Sequence, residues 1–306
     1  YDGYEMACYY HEQGNPTSLA NSFVKALLTD SRGRLWICTM EGVSRYESKT
    51  DNFKTYTSGL QNILSMAETS DGTIAGAGNG LFVFDEQRDS FVAVTTPDMG
   101  FILSLAPDRQ GRLYFASNNA IFCYSQHENK ILQFDSSLYT DFLTGADGVV
   151  PMLVDHAGNL WVGRNGKGVS RISLKSGKAD VFFPHQLVRC IDEDREHNMS
   201  LGTENGVYVI DGKGTVRQMR HDYNHPDLLS DNAIYSLLND RENNHWVGSY
   251  FGGVDIMLTG TESFQWMEPG SESHQIRGRI LRSMAETDKG TLWVATEGDG
   301  LVVVDL

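Results

Sequence analysis

The chain has 306 residues, 40% of them hydrophobic, enough for a large core, and a formal net charge of −15. That charge argues against nucleic acid, which needs clustered Lys and Arg, and against an anionic membrane surface. No apolar run approaches the roughly 18 residues of a spanning helix, no basic-then-apolar signal peptide is present, and the start at Tyr1 is what a processed or excised piece would show.

In chain order, "YDGYEMACYY" (1–10) reads as a strand end, a turn and a short strand, with residues 4–10 the strand. "HEQGNPTSLANS" (11–22) is a polar loop. "VKALLTD" (24–30) is an apolar strand ending in a D-x-x-G turn. There Asp30 can accept backbone N–H bonds, and Gly33 tolerates positive φ. "RLWICT" follows as a second strand carrying Trp36, then a glycine turn at Gly42, a third strand "VSRYES", a polar turn, and an outer strand "NFKTYT".

The same unit then recurs. Anchored on the turn glycine or its substitute, it falls at Gly33, Gly72, Gly111, Gly158, His197, Asn243 and Gly290, at intervals of 39, 39, 47, 39, 46 and 47. A period near 40 with short strands and turn signals is the signature of a four-stranded propeller blade. The expected fold is therefore all-β, a seven-bladed β-propeller of four-stranded antiparallel blades forming one domain over 1–306. The blades run at about 23–58, 60–97, 98–136, 147–183, 186–221, 232–268 and 279–306, with 1–11 completing the last. The seventh copy stops after its third strand, so the N-terminal strand is expected to close the ring and remove an open edge. The Trp36 position is Ala75, Tyr114, Trp161, Ser200, Trp246 and Trp293 in the other copies. Blades 2 and 5, without the aromatic, are expected to pack less well. Cys8, Cys38, Cys123 and Cys190 form no CxxC pair and are expected to be buried free thiols.

The pattern D-x-x-G-x-L-W-[VI]-G-T-x-x-G-[VL]-x-x-[YF] resembles the two-component regulator propeller repeat. So do the lead-ins "NPTSLANSFVKALLTD" (15–30) and "HPDLLSDNAIYSLLND" (225–240). The resemblance implies a periplasmic sensor region of a Bacteroides-type hybrid two-component histidine kinase, attached to the inner membrane through the parent chain. It implies an oligosaccharide ligand, with further propeller and membrane-linked domains of the same chain as partners. The resemblance supplies no ligand residues.

Those come from the repeat register. In a blade, the first-to-second and third-to-fourth strand turns lie on one face, and the other two connections lie on the opposite face. The extra length of the three long repeats falls in connections on that opposite face, 137–147, 222–231 and 269–278, and 11–22 is the corresponding loop before blade 1. Loops on rigid scaffolds carry function. One inner-strand position on this side reads Lys25, Leu64, Leu103, Val150, Arg189, Tyr235 and Arg282, and the next is small almost throughout: Ala26, Ser65, Ser104, Pro151, Cys190, Ser236 and Ser283. The expected site is a funnel in which Lys25, Arg189, Tyr235 and Arg282 receive an anionic or polyhydroxyl ligand, since Arg forks around carboxylate or sulfate and Tyr stacks with a polar tip. The competing expectation is that each cation pairs with an acid of the glycine turns, such as Glu41, Glu204, Glu297 or Asp299. Arg164, Asn165, Tyr250 and Phe251 are secondary candidates on those turns, and Tyr223 and His225 weaker ones.

No catalytic residue, metal set or cofactor is assigned. "GAGNG" (76–80) imitates a dinucleotide fingerprint but has no helix behind it. There is no G-x-S-x-G or H-E-x-x-H motif, and His221 and His225 read as solvated. A non-catalytic sensor is favoured over a propeller lyase or glycosidase, which should show a His or carboxylate at the channel mouth. The third reading is a docking module that binds a second propeller or forms a homodimer.

Overall fold

The structure, a computed structural model, describes residues 7–94, 100–117, 120–128, 130–134, 150–164, 166–222, 228–261, 264–267, 276, 280–287 and 291–305. Among them are seven four-stranded antiparallel sheets, and no helix is long and apolar enough to cross a membrane. Blade 1 runs from its inner strand Val24–Thr29 through Leu35–Thr39 and Gly42–Glu47 to the outer strand Asn52–Tyr56. The other inner strands are Ser65–Glu68, Ile102–Pro107, Met152–Val154, Val188–Glu193, Ile234–Asn239 and Leu281–Glu286. The ring closes as the sequence requires. The strand Ala7–Tyr9 pairs with Leu301–Asp305 in the register Ala7↔Val303, Cys8↔Val302 and Tyr9↔Leu301. Residues 4–6 of the expected closing strand lie outside the described residues. Tyr9 stacks on Trp293 of blade 7, and its hydroxyl donates to Asp51 of blade 1 at 2.6 Å, tying the seam across.

The D-x-x-G turn explains its own sequence. Asp30 Oδ1 accepts the N–H groups of Arg32 and Arg34 at 3.0 and 2.9 Å, and Oδ2 accepts the indole N–H of Trp36 at 2.9 Å. Asp155 with Trp161 and Asp240 with Trp246 repeat the indole bond at 2.8 and 2.9 Å. A tryptophan buried between blades needs an acceptor for its N–H, so aspartate and tryptophan recur together six residues apart. Burial pushes the Asp30 carboxyl up, but the Trp36 and Arg34 hydrogen bonds and the Arg34 charge outweigh it and hold it below the usual range. His197 and Asn243 take the turn glycine's left-handed conformation, at φ 65° and 64°.

The core is divided among the seven seams, one apolar cluster to each. Trp36 of blade 1 packs on Ile63, Ile74 and Phe84 of blade 2, and Trp246 of blade 6 packs on Leu281, Leu292 and Val294 of blade 7. Ala75 leaves room at the seam of blades 2 and 3, and Phe115 of blade 3, fully buried, occupies that cluster from the other side. The expectation of a poorer seam beside blade 2 thus overlooked a compensating aromatic. Beside Ser200, the cluster of Val207, Leu229, Ile234, Val247 and Met257 contains no aromatic ring. The four cysteines are free; Cys38 is buried, whereas Cys8, Cys123 and Cys190 are only partly buried, because they sit on an outer strand, a third strand and the channel wall.

Candidate functional site: one end of the central channel

Five of the seven inner strands break register at one residue. The pairing skips from Val24 to Ala26, Ile102 to Ser104, Val188 to Cys190, Ile234 to Ser236 and Leu281 to Ser283. The residues passed over are Lys25, Leu103, Arg189, Tyr235 and Arg282. A bulge inserts an unpaired residue and re-aims its side chain. Here it turns that side chain out of the blade seam and into the channel.

The result is a cavity of about 250 Å³ lined by all seven residues of that register position and by the small residues that follow them. The small ring is dictated by the neighbouring strand. A Cβ at Gly202 would overlap Cys190 Sγ, and one at Gly248 would overlap Ser236 Oγ. Ser65 and Ser283 Oγ accept the N–H of Leu105 and Leu27 in the next blade at 3.2 and 3.1 Å. The buried hydroxyls of Ser104 and Ser236 have no hydrogen-bond partner among the described residues, and neither does the buried Nε of Arg282.

Both arginines are ion-paired. Arg189 Nε bonds Glu204, and an Arg282 Nη bonds Glu297, each acid coming from the glycine turn of the same blade. The acid-pairing alternative is therefore realised for these two. Both guanidinium groups also lie over the Tyr235 ring, at 4.3 and 5.5 Å, and Lys25 Nζ lies 4.2 Å from the Phe23 ring. Tyr235 stands 5.0 Å from Tyr250, which meets Phe251 edge-on at 4.3 Å. Phe251 is 61% exposed. The structure thus gathers Lys25, Arg189, Tyr235 and Arg282 around the cavity and sets Tyr250 and Phe251 behind Tyr235 as an aromatic step. Arg164 ends its strand (Asn159–Arg164) and is not among the lining residues. Asn165, Tyr223 and His225 lie outside the described residues, as do 137–147 and 223–227 of the long connections.

The lead-in connections of blades 1 and 6 share one design. His11 Nδ1 lies 2.7 Å from the Leu19 carbonyl and His221 Nδ1 2.6 Å from that of Leu229. Ser44 Oγ accepts Ala20 N–H at 3.0 Å; at the matching place Asp255 Oδ2 accepts Ser230 N–H at 3.1 Å. Burial pushes the Asp255 carboxyl up to about 7, against the Ser230 hydrogen bonds.

These features define a closed seven-bladed propeller with one cation- and tyrosine-rimmed channel end. The two component regulator propeller family matches residues 18–41 and 228–251, the same two lead-ins and inner strands, so the chain carries repeats of that family. No curated protein matches. Among solved structures, the extracellular domains of two hybrid two component systems of B. thetaiotaomicron superpose with TM-scores of 0.74 and 0.75, at 18% identity. They cover 97% and 98% of this chain, which spans only 42% and 39% of theirs. Virginiamycin B lyase from Staphylococcus aureus superposes at a TM-score of 0.74 and 13% identity, covering 99% of this chain and 98% of its own. At these identities the likeness is one of fold.

Proposed function

We propose that this propeller is a non-catalytic sensor module of a longer two-component regulator, exposed on the periplasmic side and anchored through that parent chain, and that its channel end binds one end of an oligosaccharide. The observation that carries this is the bulge set, which places Lys25, Arg189, Tyr235 and Arg282 around one cavity at no cost to the blade core. A volume near 250 Å³ is below the roughly 300–1,000 Å³ of a drug-sized site, so a chain end enters while the rest lies over the aromatic step.

The ion pairs favour an uncharged ligand. A sulfate or carboxylate would have to displace Glu204 and Glu297 from their arginines. A neutral sugar can instead donate to the glutamates and accept from a guanidinium N–H without breaking either pair, because each hydroxyl does both. The unpartnered Ser104 and Ser236 hydroxyls and Arg282 Nε add to that pattern. A lyase reading is favoured by the S. aureus likeness alone. A histidine-to-alanine variant of that enzyme is catalytically inactive; among the described residues the lining of this cavity holds no histidine, and the carboxylates at its rim, Glu204 and Glu297, are held in ion pairs with Arg189 and Arg282.

Calorimetry against neutral and sulfated oligosaccharides tests the reading. Binding of a neutral member without turnover, lost in Tyr235→Ala and Ser236→Val, is expected. Bond cleavage, or affinity indifferent to both substitutions, would overturn it. A concentration-dependent dimer with no saccharide affinity would favour the docking reading.

A further inference from the structure

On the opposite face, the first-to-second strand turns of blades 4 and 5 bring together His156, Glu193 and His197. Their ligand atoms, two imidazole nitrogens and a carboxylate oxygen, all lie within 4.8 Å of one another. His156 Nδ1 bonds Glu193 Oε1, and His197 Nδ1 lies 3.3 Å from the same oxygen. The two rings are stacked, with centroids 3.6 Å apart and planes 20° from parallel. We propose that His156, Glu193 and His197 form a binding site for a first-row divalent transition-metal ion, which clamps blade 4 to blade 5.

The carboxylate is put there by the fold. Glu193 accepts the backbone N–H of His156 at 3.0 Å, as Glu68 accepts that of Ser31 at 2.7 Å and Glu286 that of Arg241 at 2.8 Å. Each is a latch from the end of one inner strand to the turn of the preceding blade. Of these three latches, the one of blades 4 and 5 has a histidine as the latched residue, and a second histidine arrives there from the partner turn. His197 arrives in a left-handed conformation, where Gly33, Gly72, Gly111 and Gly158 stand in four other turns. A side chain in that conformation is disfavoured relative to glycine, so the imidazole is held against a local preference.

Each imidazole can offer the carboxylate an N–H donor or, turned to a metal ion, offer that ion a lone pair. A divalent ion serves all three at once. Imidazole and carboxylate donors suit zinc, copper, nickel or iron rather than calcium or magnesium. Tetrahedral bonds of about 2.0–2.2 Å bring donors to about 3.4 Å from one another. The histidine side chains, 38% and 49% exposed, have room to swing into that spacing, and the less exposed glutamate anchors them. Three protein ligands leave one position for water. The clamp would span a seam whose inner strand in blade 4, Met152–Val154, is the shortest of the seven.

The test uses the tag-free chain, zinc chloride, calorimetry and thermal unfolding near neutral pH. Expected is one zinc per chain with a raised melting temperature, at least about tenfold weaker binding in His156→Ala and in His197→Gly, and weaker wild-type binding near pH 5.5, where protons compete. His197→Gly restores the residue of four sister turns, so it retains the fold and is expected to raise the zinc-free melting temperature while weakening zinc. Calcium should give no shift. Absence of saturable zinc binding to the wild type, or undiminished affinity in both variants, would refute the site.

Discussion

Asp255 is the buried acid at the latch of blade 6, and Asp255→Ser replaces it with the serine used at the same place in blade 1. The side chain is fully buried, its Oδ2 takes both the N–H and the hydroxyl of Ser230 at 3.1 and 2.8 Å, and its Oδ1 has no partner among the described residues. Burial pushes its pKa from 3.8 up to about 7. Because the folded value lies above the unfolded one, the native state holds a proton that the unfolded chain has released. Its contribution is therefore fully present below about pH 4, is eroded as pH rises, and is gone above about pH 7. At about 1.4 kcal/mol for each pH unit, the whole window amounts to about 4 kcal/mol, and the part above pH 5.5 to about 2 kcal/mol. Serine does not titrate there and keeps an acceptor for the Ser230 N–H, at a packing cost of about 1 kcal/mol for the lost atoms. Urea unfolding of both proteins at a series of pH values from about 5.5 to 8.5 measures this directly. The wild type should lose about 2 kcal/mol relative to the variant as pH rises to about 7, and then run level with it. Parallel curves, or a variant that weakens relative to the wild type with rising pH, would show that the carboxyl is ionised in the fold and that the reasoning is wrong.

Two further predictions concern the ring itself. Asp240→Ala strips the acceptor from the N–H groups of Glu242 and Asn244 and leaves the buried Trp246 indole unpaired; a loss of about 2–4 kcal/mol in urea unfolding is expected, with Asp240→Asn recovering part of it. Tyr9→Ala removes the Trp293 stack and the Asp51 hydrogen bond at the closing seam, so a loss of about 2–3 kcal/mol and faster proteolysis of the N-terminal strand are expected.

The fold was legible because each blade states its own turns. The D-x-x-G spacing, the tryptophan and the second glycine turn each answer a local need, and seven copies allow one register to be read across all of them. The lining of the channel was legible for the same reason: the position holding Lys25, Arg189, Tyr235 and Arg282 falls out of the alignment. The bulge that aims those side chains was not. It shows in sequence only as a residue that breaks the alternation between Val24 and Ala26 or between Val188 and Cys190, and a strand of six residues is too short to distinguish a break from noise. The compensation of Ala75 by Phe115 was hidden because the two face one seam from different blades. The link of Asp155 to Trp161 lay in plain view, six residues apart, but the turn alone already accounted for the aspartate. His156 and His197 stand 41 positions apart at different points of their turns, and only the latch through Glu193 makes them neighbours.

The bulge also explains why this repeat can acquire a binding site without losing its fold. Val24, Ile63, Ile102, Val188, Ile234 and Leu281 are buried in seams, and Ala26 and its counterparts are confined by a facing glycine or strand, so both are bound by packing. In five blades the residue between them is passed over by the pairing, and in all seven it lines the channel. It is leucine in blades 2 and 3 and valine in blade 4, but cationic or aromatic in blades 5, 6, 7 and 1, which are contiguous around the closed ring. Their glycine turns supply Glu204 and Glu297 to the arginines, and the matched lead-ins of blades 1 and 6 flank blade 7 within the same arc. Chemistry has collected on one side of a nearly symmetric scaffold, at the inner-strand position that lines the channel in every blade.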